Sequence, residues 1–166
     1  MKNKTERNLH WPTIKFDYNT KILKKSTDVR IYSNTIILTP GEFTDSMCRM
    51  PVVYSEDELK LSADRWDENF LNVDHCFDVQ SRIGYVKNPR WHKGAVRGDL
   101  HIFPITQTAK DTIALIDAGL VNWLSAELTT QDVWDSNQNK RLATDIEFIG
   151  CAVVLYPADS NTRINE

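Results

Sequence analysis

The chain has 166 residues, 41% of them apolar and 26% charged, with a formal charge of −3. That size suits one domain with a core of its own, and that composition excludes a low-complexity polymer. No apolar run approaches the ~20 residues of a membrane span, and the Lys-rich start has no apolar segment behind it, so neither a membrane anchor nor a signal peptide is expected.

The charge is unevenly spread. Residues 1–28 form a basic arm carrying Lys2, Lys4, Arg7, Lys15, Lys21, Lys24 and Lys25 against Glu6, Asp17 and Asp28. His10 lies in it, and Trp11 and Phe16 could anchor it to the body. The remainder is acidic and offers no basic face, so nucleic acid is not the expected partner. Cys48, Cys76 and Cys151 are an odd set without CxxC spacing. This points to a reducing compartment and away from a zinc site or a disulfide framework.

A domain is expected over residues 29–158. Val29 to Leu38 is rich in β-branched residues and ends at the turn signal Thr39-Pro40-Gly41, so it reads as a strand. Residues 42–54 read as a loop or short strand. Ser55-Glu56-Asp57-Glu58 is a capping box, predicting a helix to about Glu68 with Leu59, Ala63 and Trp66 on one face. Phe70 to His75 reads as a short strand and Arg82 to Lys87 as another. Asn88-Pro89-Arg90 reads as a turn, with His92 facing solvent beyond it. From Ala95 to Phe103 residues alternate, with Val96, Gly98, Leu100 and Ile102 inward and Arg97, Asp99 and His101 outward.

Thr108 reads as the cap of a second helix, with Ile113, Ile116 and Leu120 as its inward stripe and Gly119 near its C-cap. Val121 to Leu128 reads as a strand. Residues 130–141 are polar and read as an exposed loop. Asp145 to Tyr156 is a long apolar strand ended by Pro157, and residues 159–166 read as a tail. About six strands and two helices without regular alternation predict an α+β fold, a small and mainly antiparallel β-barrel or sandwich flanked by helices.

Two residues stand out. His75 closes one strand-like run, and Ser125 lies inside another, Asn122 to Leu128. A serine hydroxyl needs a base to take its proton and a third group to orient that base. On the Ser125 strand, alternation puts Leu124, Ala126 and Leu128 on one face and Trp123, Ser125 and Glu127 on the other. If the core takes the first set, Ser125 faces a cleft. Spacing alone does not make a hydrolase of these two residues, since a strand serine and a strand-end histidine are common as plain polar filling. Cys76 points away from its neighbour His75, so a Cys–His couple is not expected. There is no Walker A loop, GxGxxG, HExxH or GxSxG, and no cofactor or metal is expected.

From about Ile31 to Ala158 the sequence resembles the prohead (capsid maturation) serine proteases of tailed bacteriophages. Four stretches carry the likeness. They are Thr39 to Phe43 followed by Tyr54 to Leu59, then Val73-Asp74-His75 followed by Arg82 to Val86. Ile116 to Leu120 with Leu124-Ser125 is the third, and Ile149 to Ala158 the fourth. The resemblance implies the barrel shared with herpesvirus assemblins, with His75 as base and Ser125 as nucleophile. It implies an acidic third member near the last strand, Glu147 or else Asp145, with His101 as a further alternative. Backbone N–H groups around residues 140–144 would form the oxyanion hole. Ala126-Glu127 departs from the small or Gly residues common after the family's serine; on the Ser125 face Glu127 would shape the substrate pocket with Trp123, or act on His75.

What the resemblance implies is an endopeptidase that cleaves scaffold and major capsid protein segments inside the immature shell, in the host cytoplasm. Such a protein could act as a homodimer or higher oligomer. The alternative is a catalytically inert, protease-like barrel serving capsid assembly as a structural protein.

Overall fold

A computed structural model describes residues 28–44 and 50–165. Most of the basic arm, with His10, Trp11 and Phe16, and also Cys48, lie outside the described residues. The elements run β1 (Arg30–Leu38), β2 (Gly41–Thr44), β3 (Pro51–Tyr54), α1 (Glu56–Ala63), β4 (Phe70–Val73), β5 (Gly84–His92), β6 (Ala95–Ile102), α2 (Gln107–Asp117), β7 (Trp123–Asp135) and β8 (Lys140–Val154). The eight strands form one sheet in the order β1-β6-β5-β4-β8-β3-β2, with β7 also paired to β8.

The α+β class is as expected, but the ladder does not close into a barrel among the described residues. Nor is the sheet wholly antiparallel, because β3 and β4 both run parallel to β8. The segment after β8, expected as a tail, lies across the gap between β1 and β7. Arg163 exchanges both backbone hydrogen bonds with Ile36 of β1, and the Ile164 N–H donates to the Asn122 carbonyl just before β7. Ile164 is buried, so this segment contributes to the core.

The capping box behaves as its chemistry dictates. Ser55 is the N-cap of α1, and its side chain accepts from the Glu58 N–H at 3.2 Å. Leu59, Ala63 and Trp66 are fully buried. The helix stops at Ala63, and Trp66 enters the core from the turn beyond it, stacked on Phe148 of β8 with ring centroids 4.5 Å apart. The second helix starts earlier than its sequence suggests. Thr106, not Thr108, is the N-cap, accepting from the Ala109 N–H at 3.1 Å. Thr108 is the second residue of the helix, and its carbonyl accepts from the Thr112 hydroxyl. Ile116 is buried and Leu120 exposed, because the helix ends before Gly119 takes a left-handed φ of 71°.

Two predicted loops are strand. Asn88-Pro89-Arg90 lies inside β5, where a register irregularity between Lys87 and Arg90 absorbs the proline. Residues 130–141 extend the β7–β8 hairpin. Val133 pairs with Leu142 and Trp134 with Arg141, and Asp132 bridges to Arg141 at 2.7 Å. The stretch is polar because the ribbon is solvated, while its Thr and aromatic residues and its lack of Gly or Pro favour extension. Arg97 also departs from its expected outward placement. It is buried, and its guanidinium donates to the Asn34 and His92 carbonyls.

Candidate active site

The site forms where β4 and β7 flank the C-terminal half of β8. On one side Phe70, Leu71, Asn72 and Val73 pair with Gly150, Cys151, Ala152 and Val153. On the other, Ser125 pairs with Ala152 and Glu127 with Gly150. Partners across a sheet share a face. Two rows result, Asn72–Ala152–Ser125 and Phe70–Gly150–Glu127. The central member of each row is Ala or Gly, which leaves a trough over β8 between the outer strands.

Glu127 fills that trough. Its side chain is only 6% exposed. Oε2 accepts from Asn72 Nδ2 at 3.0 Å, and Oε1 lies 3.0 Å from His75 Nδ1. Gly150 makes this possible, because a Cβ there would stand 2.6 Å from Glu127 Oε2. Beneath, burial first and then the nearby Glu127 charge push the thiol of buried Cys151 up, so Cys151 is an inert core residue.

His75 reaches Glu127 through a tight turn after β4. The Asp74 N–H closes the ladder on the Val153 carbonyl, and the Cys76 N–H donates to the Val73 carbonyl. Asp74 and His75 both adopt left-handed backbone, with φ of 50° and 57°. Such strain concentrates at functional positions, and Asp and His tolerate it better than β-branched residues. A carboxyl oxygen facing Nδ1 selects the tautomer with the proton on Nδ1, leaving Nε2 free to accept. The His75 side chain is 45% exposed, as a group that meets a substrate must be.

Ser125, His75 and Glu127 line one cleft of about 660 Å³. Its walls include Ile37, Phe43, Tyr54 and Leu128, with Phe77 and Tyr156 as exposed apolar residues of its lining. Leu124 is fully buried beside half-buried Ser125, so the serine is held on a rigid strand.

The remaining sequence candidates lie elsewhere. Glu147 and Asp145 are exposed and absent from the cleft lining. Glu147 pairs with Thr129 beyond the irregularity between Glu127 and Leu128, and Asp145 meets the Gln131 amide. His101 sits on β6 between Ile31 and Tyr85, with β5 separating it from β4. The carboxyl group on His75 is thus Glu127, which its neighbourhood with Ser125 marked as a pocket residue. Alternation along β7 shows that Glu127 shares the Ser125 face, but it does not reveal that β4 lies within reach. Trp123 is not part of the cleft lining, and its ring carries the Arg163 guanidinium at 5.7 Å. Residues 140–144 belong to β8, in ladders with β7 and β3, and form no free loop.

Among the described residues, no group of three or more His, Cys, Asp or Glu is placed to hold a metal ion. No helix among them is long and apolar enough to cross a membrane.

No protein-family model matches the sequence, and no curated protein matches it. Among solved structures the chain is similar to the bacteriophage T4 capsid assembly protease, gp21. The TM-score is 0.51 at 12% identity, over 78% of this chain and 98% of that one. At this identity the likeness is one of fold.

Proposed function

We propose that this chain is a serine endopeptidase of phage capsid maturation, acting on capsid and scaffold protein segments within the immature shell. Ser125 is the nucleophile, His75 the general base and Glu127 the carboxylate that orients it. The observation that carries this reading is the 3.0 Å contact of buried Glu127 with His75 Nδ1, in the cleft that Ser125 also lines. The likeness in fold to a phage capsid assembly protease supports the choice of substrate class.

The chemistry follows from the tautomer. Ser125 Oγ attacks the scissile carbonyl carbon, and its proton passes to His75 Nε2. The imidazolium is stabilised through Nδ1–H by the Glu127 carboxylate. When the tetrahedral intermediate collapses, the C–N bond breaks and Nε2 returns the proton to the departing amine. Water, deprotonated by the same nitrogen, then attacks the Ser125 ester; the C–O bond breaks and Nε2 returns the proton to Ser125 Oγ.

The test is labelling of the full chain with a fluorophosphonate serine probe, followed by mass spectrometry. Modification of Ser125 that disappears in Ser125→Ala supports the reading. An unlabelled protein, beside a control protease that reacts, overturns it.

A further inference from the structure

We infer that Asn72 is a positioning residue of this site, acting through Glu127 on His75. The inference rests on the catalytic reading above and extends it by one residue. Asn72 is 1% exposed, in the middle of β4, where apolar side chains are the usual filling. Its amide nitrogen donates to Glu127 Oε2 at 3.0 Å, while its amide oxygen is buried without a hydrogen-bond partner.

That asymmetry is informative. A buried, unpaired carbonyl oxygen destabilises a fold, and such groups in native structures call for an explanation. Turning the amide over would bring its oxygen against Glu127 Oε2, two acceptors facing each other. The orientation is therefore set by the carboxylate, and the orphaned oxygen is the consequence. A leucine has the same branched skeleton and would remove that orphan, but it would take the donor from Glu127 Oε2. Asn72 costs the fold something and gives Glu127 a donor.

Glu127 has two side-chain partners, Asn72 on one oxygen and His75 on the other. Asn72 sits on the rigid ladder to β8, whereas His75 sits on a strained turn and is largely exposed. The buried partner thus holds the carboxylate for the solvent-facing one. Gly150 supports the same placement by leaving the space that Oε2 occupies. Without Asn72, Oε2 has no donor in the trough. Glu127 then turns toward cleft water or takes up a proton, and in both cases the imidazolium at His75 loses its stabilising charge.

The experiment compares the full chain with Asn72→Leu and Asn72→Asp. It reads thermal stability, the pH profile of fluorophosphonate labelling, and the His75 ring titration by NMR. Asn72→Leu should stay folded, alter the His75 ring titration, and slow labelling about ten- to a hundred-fold, the worth of one hydrogen bond to a charged group. Asn72→Asp, isosteric but without a donor, should be slower still near neutral pH. Unchanged His75 titration in a folded Asn72→Leu protein overturns the inference, whether or not the parent reacts with the probe. Should neither Asn72 variant fold, Gly150→Ala displaces Oε2 from the opposite side, and an unchanged His75 titration there overturns it equally. An unlabelled parent whose His75 titration responds to Asn72→Leu overturns the catalytic reading alone.

Discussion

The Thr162 side chain grips the backbone of Leu124, the residue before the candidate nucleophile. Its Oγ1 accepts from the Leu124 N–H at 3.2 Å and lies 2.8 Å from the Leu124 carbonyl, to which it donates. The hydroxyl thereby takes the part of a neighbouring strand at the open edge of β7. Asp159, a few residues earlier, holds the Thr39 N–H and hydroxyl at 2.7 Å each, tying the same segment to the end of β1.

Thr162→Val removes both Leu124 contacts at constant volume and leaves two buried backbone groups without partners. We expect a loss of about 1–3 kcal/mol in denaturant unfolding, and Thr162→Ser should retain most of it. If Thr162→Val is as stable as the parent, the segment is not a structural clasp.

The orienting carboxylate can be identified by charge removal. Glu127→Gln should slow probe labelling by about 10³–10⁴-fold, the loss seen when a triad carboxylate becomes an amide. Glu147→Gln and Asp145→Asn, both at exposed positions, should stay within about twofold of the parent. Equal losses at 127 and 147 would contradict the assignment.

These contrasts mark where sequence reading stopped. Ser55, His75 and Ser125 were legible because a capping box, a strand end and an alternating strand are local patterns. Glu127 is legible as a charge on the Ser125 face that can act on His75, but not as the carboxylate that orients it. That contact depends on β4 and β7 flanking the same two small residues of β8, and pairing order is not written in any one segment. The hairpin over residues 130–141 is not legible in the sequence, because a solvated two-stranded ribbon has the polarity of a loop. The burial of Arg97 is not legible either, because alternation shows which face a side chain takes, not whether backbone carbonyls wait there.

Tyr32 and Asp117 tie β1 to α2 and give the fold a pH signature. Burial first, with the Asp117 contact adding and Arg30 opposing, pushes the Tyr32 hydroxyl up to about 12. The Tyr32 hydrogen bond at 2.8 Å, assisted by Arg30, holds the Asp117 carboxyl below its usual range. An unfolded tyrosine ionises near ~10, so between ~10 and 12 the unfolded chain releases a proton that the fold retains, and stability falls as pH rises. For Asp117 the sign is opposite. Its contribution is present above an unfolded value of ~3.9 and fades as pH falls through the lower folded value. Tyr32→Phe should flatten the alkaline loss in denaturant midpoints measured across this range. An unaltered alkaline slope would refute the linkage.

The two described cysteines should differ sharply in reactivity. Cys76 is exposed in the turn beyond His75, whereas Cys151 is fully buried with its thiol pushed up. Iodoacetamide on the native chain should modify Cys76 and spare Cys151 until denaturant is added. Peptide mapping that finds native Cys151 modified would show that the core beneath β8 opens.

Glu127 meets His75 across 52 positions of chain and Asn72 across 55. Neither contact can exist until β4 and β7 have both docked on β8, and such distant pairings are the slow steps of a folding reaction. A chain still emerging from synthesis, or one truncated within β8, therefore holds every reactive side chain and no assembled site. Under the proposed function, completion of the sheet is itself a delay before activity, set by topology rather than by a separate inhibitor.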